Sequence, residues 1–401
     1  MKLKNINKKR IIGGFYSIFI FMLTIGITIF SGILYKLETS EIIRLSILMF
    51  IGCGSIVFEQ GFSVLYKKYS FDNEEHPFRF FMIYVGCLIL ASIFPMFPIS
   101  GLPYLFIALI LSLFSNVTIG ILSFSNLLVL TSLLGNASID HFFLYFICGL
   151  ITILLFSKIN DDFHVGIPIF LSLCIFLVSH TANILLFSFS NLKIEMFIIP
   201  IVNIFLNGIL MLICLRFYSY HVVHKYREKY MEINDPEYDI LVELKIKNKN
   251  EYYHSVHTAY LSDKIARRLH LDAEASRASG YYHRLYKYRN EKEDVYGMKL
   301  QQEYYFPIPA CKVINELNSK HEKLISKEAV VVYMSDTVVD SIIYLFDKDK
   351  NAILNYHEII ELLFKKKIEK GILDSCELTM AEIKEMKKIF MEETLYYDFL
   401  R

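Results

Sequence analysis

The sequence lacks the features that identify several common classes of protein. Its formal net charge is only +1, so its composition supplies no basic stripe or patch for a nucleic acid polymer. Its seven cysteines are scattered without a C-x-x-C pair, which argues against a disulfide framework or a zinc site. No internal repeat, low-complexity tract or strand-rich segment is evident. A helical protein is therefore the expectation.

Long apolar runs are what the sequence has instead. Hydrophobic residues make up 54% of its 401 residues, more than is usual for a wholly soluble protein. A helix needs about 20 apolar residues to cross the hydrocarbon core of a membrane. Runs of this kind lie at residues 11–35, 42–66, 78–97, 103–116, 118–136, 141–157, 166–190 and 194–218. They predict a transmembrane domain over residues 1–219 with eight crossings, or seven if the short fourth run does not cross.

Basic residues beside the apolar runs predict the orientation. Short cytoplasmic loops carry an excess of lysine and arginine, and such residues occur at Lys8–Arg10, at Lys67 and Lys68, and at His221–Lys229. With eight crossings, all three segments fall on the cytoplasmic side. The first run follows a basic segment without a clear cleavage site, so it is interpreted as a retained helix. The sequence therefore predicts a multi-pass protein of the cell membrane with both termini cytoplasmic.

After residue 219 the sequence becomes charged, with apolar residues at helical spacing. Glu328–Phe346 and Met380–Phe390 show this pattern, which is typical of helices that pack on a core. Ser262, Asp272 and Thr379 are interpreted as N-caps of the helices that follow them. We therefore expect an all-α protein, in which the transmembrane bundle is followed by a soluble helical cytoplasmic domain at residues 220–401.

Polar side chains in the second domain are candidates for a metal site. His254 and His257 are three residues apart and share one face of a helix,. His283 follows in GYYHRLYKY, and Asp336 lies in the apolar stretch VVVYMSDTVVDSII. A carboxylate among apolar side chains is costly without a partner, and two imidazoles with one carboxylate can hold a transition metal. The alternative is that these are hydrogen-bonded structural residues.

Several segments of the chain resemble elements of a known family, the PgpH-type seven-transmembrane HD proteins. These segments are EINDPEYDILVEL, EYYHSV, GYYHRLYK, SKEAVVVYMSDTVVDS and KKKIEKGILDSCELTMAEIKEMKKIF. The predicted order of one helix followed by seven is also similar. The family is bacterial, belongs to the HD superfamily of metal-dependent phosphohydrolases and hydrolyses cyclic di-AMP. The resemblance implies an HD-like second domain and a divalent metal, manganese or iron.

The resemblance also implies roles for individual residues. His254 matches the first metal histidine, His283 the histidine of the HD pair, and Asp336 the last metal aspartate, so these three are the candidate metal ligands. Arg284 stands where the family has the aspartate that bridges two ions, and an arginine does not lose its proton. The ligand set is therefore incomplete, and a bound divalent ion and no cofactor are equally compatible with it.

Other parts of the family pattern are missing. Leu317 stands where the family has a further metal histidine. The later histidine pair has no counterpart, although His321 lies in the short stretch NSKHEKLI. Only a short loop follows the first helix, so the family's large extracellular domain is absent. Hydrolysis with two metal ions depends on these pieces.

Arg284 has two interpretations. With Lys287 nearby, its guanidinium is a candidate phosphate contact, because arginine forms paired hydrogen bonds with phosphate oxygens. In the second interpretation, Arg284 forms a salt bridge with Asp336 and plugs an inactive site. The sequence leaves both open.

Three functions follow as hypotheses. The first is a pseudoenzyme, a membrane-tethered receptor or regulator in nucleotide signalling that binds a cyclic dinucleotide. The second is a working metal-dependent phosphodiesterase or phosphohydrolase with a reduced metal site. The third is a transporter or small-ligand sensor formed by the bundle, supported by Glu59 and His180, because ionisable residues within apolar runs usually face the bundle interior. The lipid bilayer is a partner in each, and each is compatible with a homo-oligomer.

Overall fold

The computed structural model describes residues 2–65, 69, 71, 73, 76–157, 165–187, 193–288, 296–319, 324–349, 353–376 and 378–398. Regular structure in these residues is helical, with no strand among them, which confirms the predicted all-α class. The chain divides into two units, Met1–His224 and Lys225–Arg401. This division falls a few residues after the boundary predicted at residue 219. The two units are described separately below.

The described residues of the first unit form eight α-helices. They are α1 Lys2–Leu34, α2 Thr39–Leu65, α3 Pro77–Ile93, α4 Tyr104–Leu113, α5 Val117–Leu134, α6 Ile139–Phe156, α7 Gly166–Phe187 and α8 Glu195–Tyr218. All except α4 are long and apolar enough to cross a membrane, so the chain is a membrane protein. The π-helical segment Ser219–His224 follows α8.

The fourth apolar run forms a helix too short to cross a bilayer alone. α4 has 10 residues, about 15 Å at the usual helical rise, against roughly 30 Å of hydrocarbon. Non-helical backbone at membrane depth is tolerated only where protein or water satisfies its polar groups. Asn203 Nδ2 donates to the carbonyls of Ser100 and Leu102 at 2.9 and 3.1 Å, and Asn207 Oδ1 accepts from the Phe106 N–H at 3.0 Å. Side chains of α8 therefore replace the missing helical hydrogen bonds.

Contacts within the bundle bring the start of the apolar part of α1 and the end of α8 to one end, which we call the proximal end. The contacts link Ser17, at the start of the apolar part of α1, to the end of α2, the end of α2 to the start of α5, and the residue Phe114 to the end of α8. They are Ser17 Oγ to Gln60 Oε1 at 3.1 Å, Asn116 Nδ2 to Ser63 Oγ at 2.7 Å, and the rings of Phe114 and Tyr218 with centres 5.0 Å apart. The segment with Lys67 and Lys68 lies outside the described residues.

In the second unit, the part of the chain that the structure describes forms ten further α-helices. They are α9 Lys225–Ile233, α10 Asp239–Lys247, α11 Lys249–Arg268, α12 Ala273–Tyr282, α13 Tyr296–Glu303, α14 Ile308–Leu317, α15 Lys327–Lys348, α16 Tyr356–Glu369, α17 Met380–Glu392 and α18 Thr394–Tyr397. α15 is also long and apolar enough to cross a membrane, but it packs inside the second unit. Its valines and Ile342 form one hydrophobic core with residues of α11, α16 and α17. Burial of α15 in this core explains its composition.

Two of the three predicted caps are confirmed. Asp272 accepts from the Ala275 N–H at the start of α12, and Thr379 forms a reciprocal capping box at the start of α17,. The interpretation of Ser262 as a cap is wrong. It is buried inside α11, where its Oγ donates to the carbonyl of Thr258 at 2.7 Å, the bond that a serine forms within a helix.

Gly280 lets α11 and α12 approach closely. A Cβ at this position would lie 2.6 Å from the Cα of Ala259. Because the clash would be with backbone, no side-chain rotation could remove it. The end of α12 is thereby held against the middle of α11, and Arg284 follows four residues after Gly280.

We predict that Asn203→Leu lowers the stability of the membrane unit. The change leaves the carbonyls of Ser100 and Leu102 without their donor, and a buried unsatisfied group costs roughly 1–3 kcal/mol. The thermal midpoint of the full chain in detergent measures the effect. Val202→Ala is the control, because Val202 is the preceding residue and is 60% exposed on the same helix. Equal midpoints for the two variants would contradict the proposed role of Asn203.

Candidate functional site

Three helices bring the predicted site residues of the second unit together. His254 lies on α11 and is 5% exposed, and His283, just after the last residue of α12, is 6% exposed. Arg284 follows His283 in the chain. Asp336 lies on α15, where its carboxylate is within reach of His254, His283 and Arg284. The four residues therefore form one polar cluster.

The guanidinium of Arg284 lies in the middle of this cluster. Its Nη1 is 2.9 Å from His254 Nε2, 3.3 Å from Asp336 Oδ1 and 3.0 Å from Asp340 Oδ1. Its Nε is 3.5 Å from Glu251 Oε1. The ion pair between Arg284 and Asp336 that the second interpretation of the sequence required is present. One side chain thus connects residues of α11 and α15.

Asp340 belongs to the cluster and was missed in the sequence analysis. It lies one helical turn after Asp336 on α15, and residues four apart share a helix face. Its Oδ1 is 2.8 Å from His254 Nε2, and its side chain is 48% exposed, against 19% for Asp336. Burial raises the pKa of Asp340, but the bonds from His254 and Arg284 outweigh it and hold the pKa well below its usual value. The spacing DTVVD was the signal available in the sequence.

Backbone carbonyls fix the orientation of His283. Its Nδ1 is 3.0 Å from the carbonyl oxygen of Ser279, so Nδ1 carries the proton that is donated there. Its Nε2 faces Asp336 Oδ1 at 3.1 Å. Burial raises the pKa of Asp336, but the nearby His283, Arg284 and His254 outweigh it and lower the pKa overall. Asp336 is therefore held as a carboxylate.

The ligand atoms that converge are those of His254, Asp336 and Asp340, which all lie within 4.8 Å of one another. This grouping contains Asp340 in place of His283, the third ligand that the family resemblance implied. Such a set of one imidazole and two carboxylates suits a divalent ion by composition. However, Arg284 Nη1 is within 3.3 Å of an atom of each of the three residues. With Arg284 in this position the residues do not fit a divalent ion, because a cationic nitrogen occupies the space between them.

Lys287, the second candidate phosphate contact, is more exposed than Arg284. It lies in the short helical turn Leu285–Tyr288 and is exposed. Its Nζ is 5.8 Å from the centre of the Tyr286 ring. The contacts of Arg284 are with Glu251, Asp336, Asp340 and His254. Three carboxylates around one guanidinium leave the cluster with excess negative charge.

The other residues singled out in the sequence lie apart from this cluster or serve as packing. Leu317 packs against the hydrophobic core around α15. His257 is bonded to the C-terminal helix, with its Nδ1 2.6 Å from Tyr396 Oη. In the membrane unit, Glu59 accepts from Ser63 Oγ at 3.1 Å, and His180 is buried at 2% exposure. His321 lies outside the described residues.

Comparison with known proteins gives a weak likeness. No protein family model matches the sequence, and no curated protein matches it. Among solved structures, the crystal structure of the L. monocytogenes phosphodiesterase PgpH HD domain is similar to part of the chain, with 15% sequence identity and a TM-score of 0.32. The match covers 41% of this chain and 100% of that chain. At this identity and score the similarity does not define a function.

We predict that Arg284→Ala opens the cluster to a divalent cation. Removal of the guanidinium leaves His254, Asp336 and Asp340 free to converge on one ion, and a ligand at 100 times its Kd stabilises a fold by about 2.7 kcal/mol. Addition of Mn²⁺ should raise the thermal midpoint of the Arg284→Ala variant, measured on the full chain in detergent. It should not raise the midpoint of the wild type. Lys287→Ala, the loss of a nearby exposed cation, should behave as the wild type. The same Mn²⁺ response in the wild type would contradict this account.

We also predict an acid-side loss of stability that depends on His257. Burial and, secondarily, the neighbouring His254 lower the pKa of His257 to about 4, whereas an unfolded histidine titrates near ~6.5. Between these values the unfolded chain binds the proton and the folded chain does not, so stability falls as the pH falls through this window. Thermal midpoints between pH 7 and pH 4 should decline less steeply in His257→Gln, which keeps a bond to Tyr396. His270→Gln, at an exposed histidine just after α11, is the control, and an unchanged slope in His257→Gln would refute the assignment.

Proposed function

We propose that this protein is a membrane-anchored HD-like signalling protein, and that its second unit regulates or senses rather than hydrolyses. The observation that carries the proposal is the position of Arg284 Nη1, within 3.3 Å of ligand atoms from His254, Asp336 and Asp340. The proposal combines this geometry with the family-like motifs around His254, His283 and Asp336.

The chemistry of Arg284 argues against hydrolysis. Metal-dependent phosphodiester hydrolysis needs ions that clamp the phosphate and activate a water molecule. A guanidinium supplies positive charge, but it neither accepts a proton nor coordinates water as a Lewis acid. The position that the family uses for a bridging carboxylate is therefore occupied by a group of opposite sign. A pseudoenzyme is the function that fits this substitution best.

The exposure of Asp340 supports a cyclic dinucleotide as the candidate ligand. Arg284 holds Asp340 with Nη1 and Nη2, at 3.0 and 3.3 Å from its two oxygens, which is the geometry of a paired hydrogen bond. A phosphate offers oxygens at similar spacing. Asp340 is the more exposed of the two aspartates on α15, so it is the carboxylate that an incoming phosphate can displace. In this proposal Asp340 competes with the ligand for Arg284.

A working phosphohydrolase is the second candidate. The convergence of His254, Asp336 and Asp340 within 4.8 Å favours it, because three protein ligands suffice for a catalytic metal in other enzymes. It requires Arg284 to swing out of the cluster. Its side chain is 22% exposed, so a route outward exists.

For the membrane unit we propose that the proximal end faces the cytoplasm. Lys8–Arg10 precede the apolar part of α1, and Lys67 and Lys68 follow α2 in the sequence. The start of that apolar part and the end of α2 both lie at the proximal end. Basic residues flanking short loops favour the cytoplasmic side. The second unit, which follows α8, is then cytoplasmic as well.

We predict that the full chain binds cyclic di-AMP without turning it over, and that Asp340→Asn tightens binding about 5- to 10-fold by removing a competitor worth roughly 1 kcal/mol. Calorimetric titration of the detergent-solubilised chain with and without Mn²⁺, followed by product analysis, measures both. Asp347→Asn makes the same charge change at an exposed site of α15 and should leave affinity unchanged. Arg284→Ala should abolish binding.

Other outcomes of this experiment reject the proposal. Mn²⁺-dependent hydrolysis that His283→Ala abolishes would establish the second candidate instead. Absence of binding in both the wild type and Asp340→Asn would remove the cyclic dinucleotide as ligand.

A further inference from the structure

A buried histidine in the membrane unit lacks hydrogen-bond partners. His180 on α7 is 2% exposed, and neither of its ring nitrogens has a partner among the residues that the structure describes. A neutral imidazole offers one donor and one acceptor, and each buried group left unsatisfied costs roughly 1–3 kcal/mol. Such a side chain points to a ligand that the chain itself does not supply.

Aromatic rings enclose His180 on several sides. The centre of its ring is 5.0 Å from that of Phe176, 6.1 Å from that of Tyr145 and 6.4 Å from that of His141. Phe176 and Tyr145 are themselves buried. These two rings exclude water but do not accept or donate in the plane of the imidazole. His141 is the neighbour that can share a ligand with His180.

A carboxylate orients His141. Its Nδ1 is 2.9 Å from Asp140 Oδ2 and 2.9 Å from Ser138 Oγ, and Asn183 Nδ2 donates to the same Asp140 oxygen at 3.1 Å. Histidines that bind metals usually donate the proton of their other ring nitrogen to a carboxylate or carbonyl. With Nδ1 bonded in this way, Nε2 of His141 keeps its lone pair. Asp140 also gives this end of the bundle a negative charge.

The separation of the two imidazoles suits one shared ion. Two rings that bind the same ion at metal–nitrogen distances of about 2.0–2.1 Å have centres roughly 5 Å apart at a tetrahedral angle and ~6.4 Å apart when opposed. The observed 6.4 Å is the upper end of this range. His141 has a side chain that is 26% exposed, so a rotation of this residue can bring its ring towards the tetrahedral separation.

We propose that His141 and His180 bind one divalent first-row transition metal ion, of the class of Zn²⁺, between the start of α6 and the end of α7. Imidazole nitrogens are preferred ligands of these ions. Asp140 acts as a positioning residue for His141, and water or a carried ligand completes the coordination. The site is independent of the cluster around Arg284, and it gives the membrane unit a ligand of its own.

The test is metal binding by the full chain in detergent, purified with a tag that contains no histidine. After dialysis against Zn²⁺ and removal of free ion, the wild type should retain one more equivalent of Zn²⁺ than His180→Phe or His141→Ala, as measured by elemental analysis. Substitution with Co²⁺ should give visible absorption from bound cobalt that both variants lose. Asp140→Asn should weaken binding about 10- to 100-fold, as loss of such a carboxylate does in other metal sites.

Matched variants separate this site from others. His221→Ala removes an exposed histidine of the same unit and should keep the Zn²⁺ equivalent, and so should His254→Ala in the second unit. His141→Ala changes a partly exposed side chain, so its result stands even if His180→Phe fails to fold. Equal Zn²⁺ content in the wild type and His141→Ala, or an equal loss in His221→Ala, would overturn the proposal.

Discussion

The contact on which the second unit depends is that of the Arg284 guanidinium with carboxylates from two helices. Glu251 comes from α11, Asp336 and Asp340 come from α15, and Arg284 itself follows α12. Removing one partner of an ion pair leaves the remaining charge uncompensated, and the cost is larger for a largely buried carboxylate such as Asp336 than for the half-exposed Asp340,. Here one cation compensates three carboxylates, so the arrangement of all three helices is tied to a single side chain. The close approach that Gly280 permits makes this contact geometrically feasible.

A feature of the fold could be predicted when the residues that determine it are close together in the sequence. Hydropathy is a local property, and the predicted runs coincide with the helices of the membrane unit to within about four residues, except that α1 begins well before its apolar run. The short fourth run was recognised as exceptional for the same reason. Its stabilisation by Asn203 and Asn207 joins positions about a hundred residues apart, and no local pattern contains that information. Ser262 failed as a cap because serine suits both a helix start and a bond to the preceding turn.

For the candidate site, the sequence indicated which residues meet but not how they pair. The family-like motifs brought His254, His283, Arg284 and Asp336 to one place, and their contacts are present. Asp340 was available from its spacing to Asp336 and was overlooked. The direction of the Arg284 side chain was not available, because a long flexible side chain can reach a phosphate, a metal-free pocket or a carboxylate with equal ease. Only the positions of Glu251 and Asp340 decide between them.

The polar groups of the two units differ in what they still require. In the second unit, the guanidinium of Arg284 neutralises part of the charge that would otherwise attract a cation, so the cluster is stable without a ligand. In the membrane unit, His180 is buried with neither nitrogen bonded among the described residues, and the imidazole of His141, which Asp140 orients, lies beside it. A buried polar group without a hydrogen-bond partner has lost its hydration without compensation, so a ligand that bonds to it gives a large gain in free energy. The stronger unmet demand for a ligand therefore lies in the membrane unit.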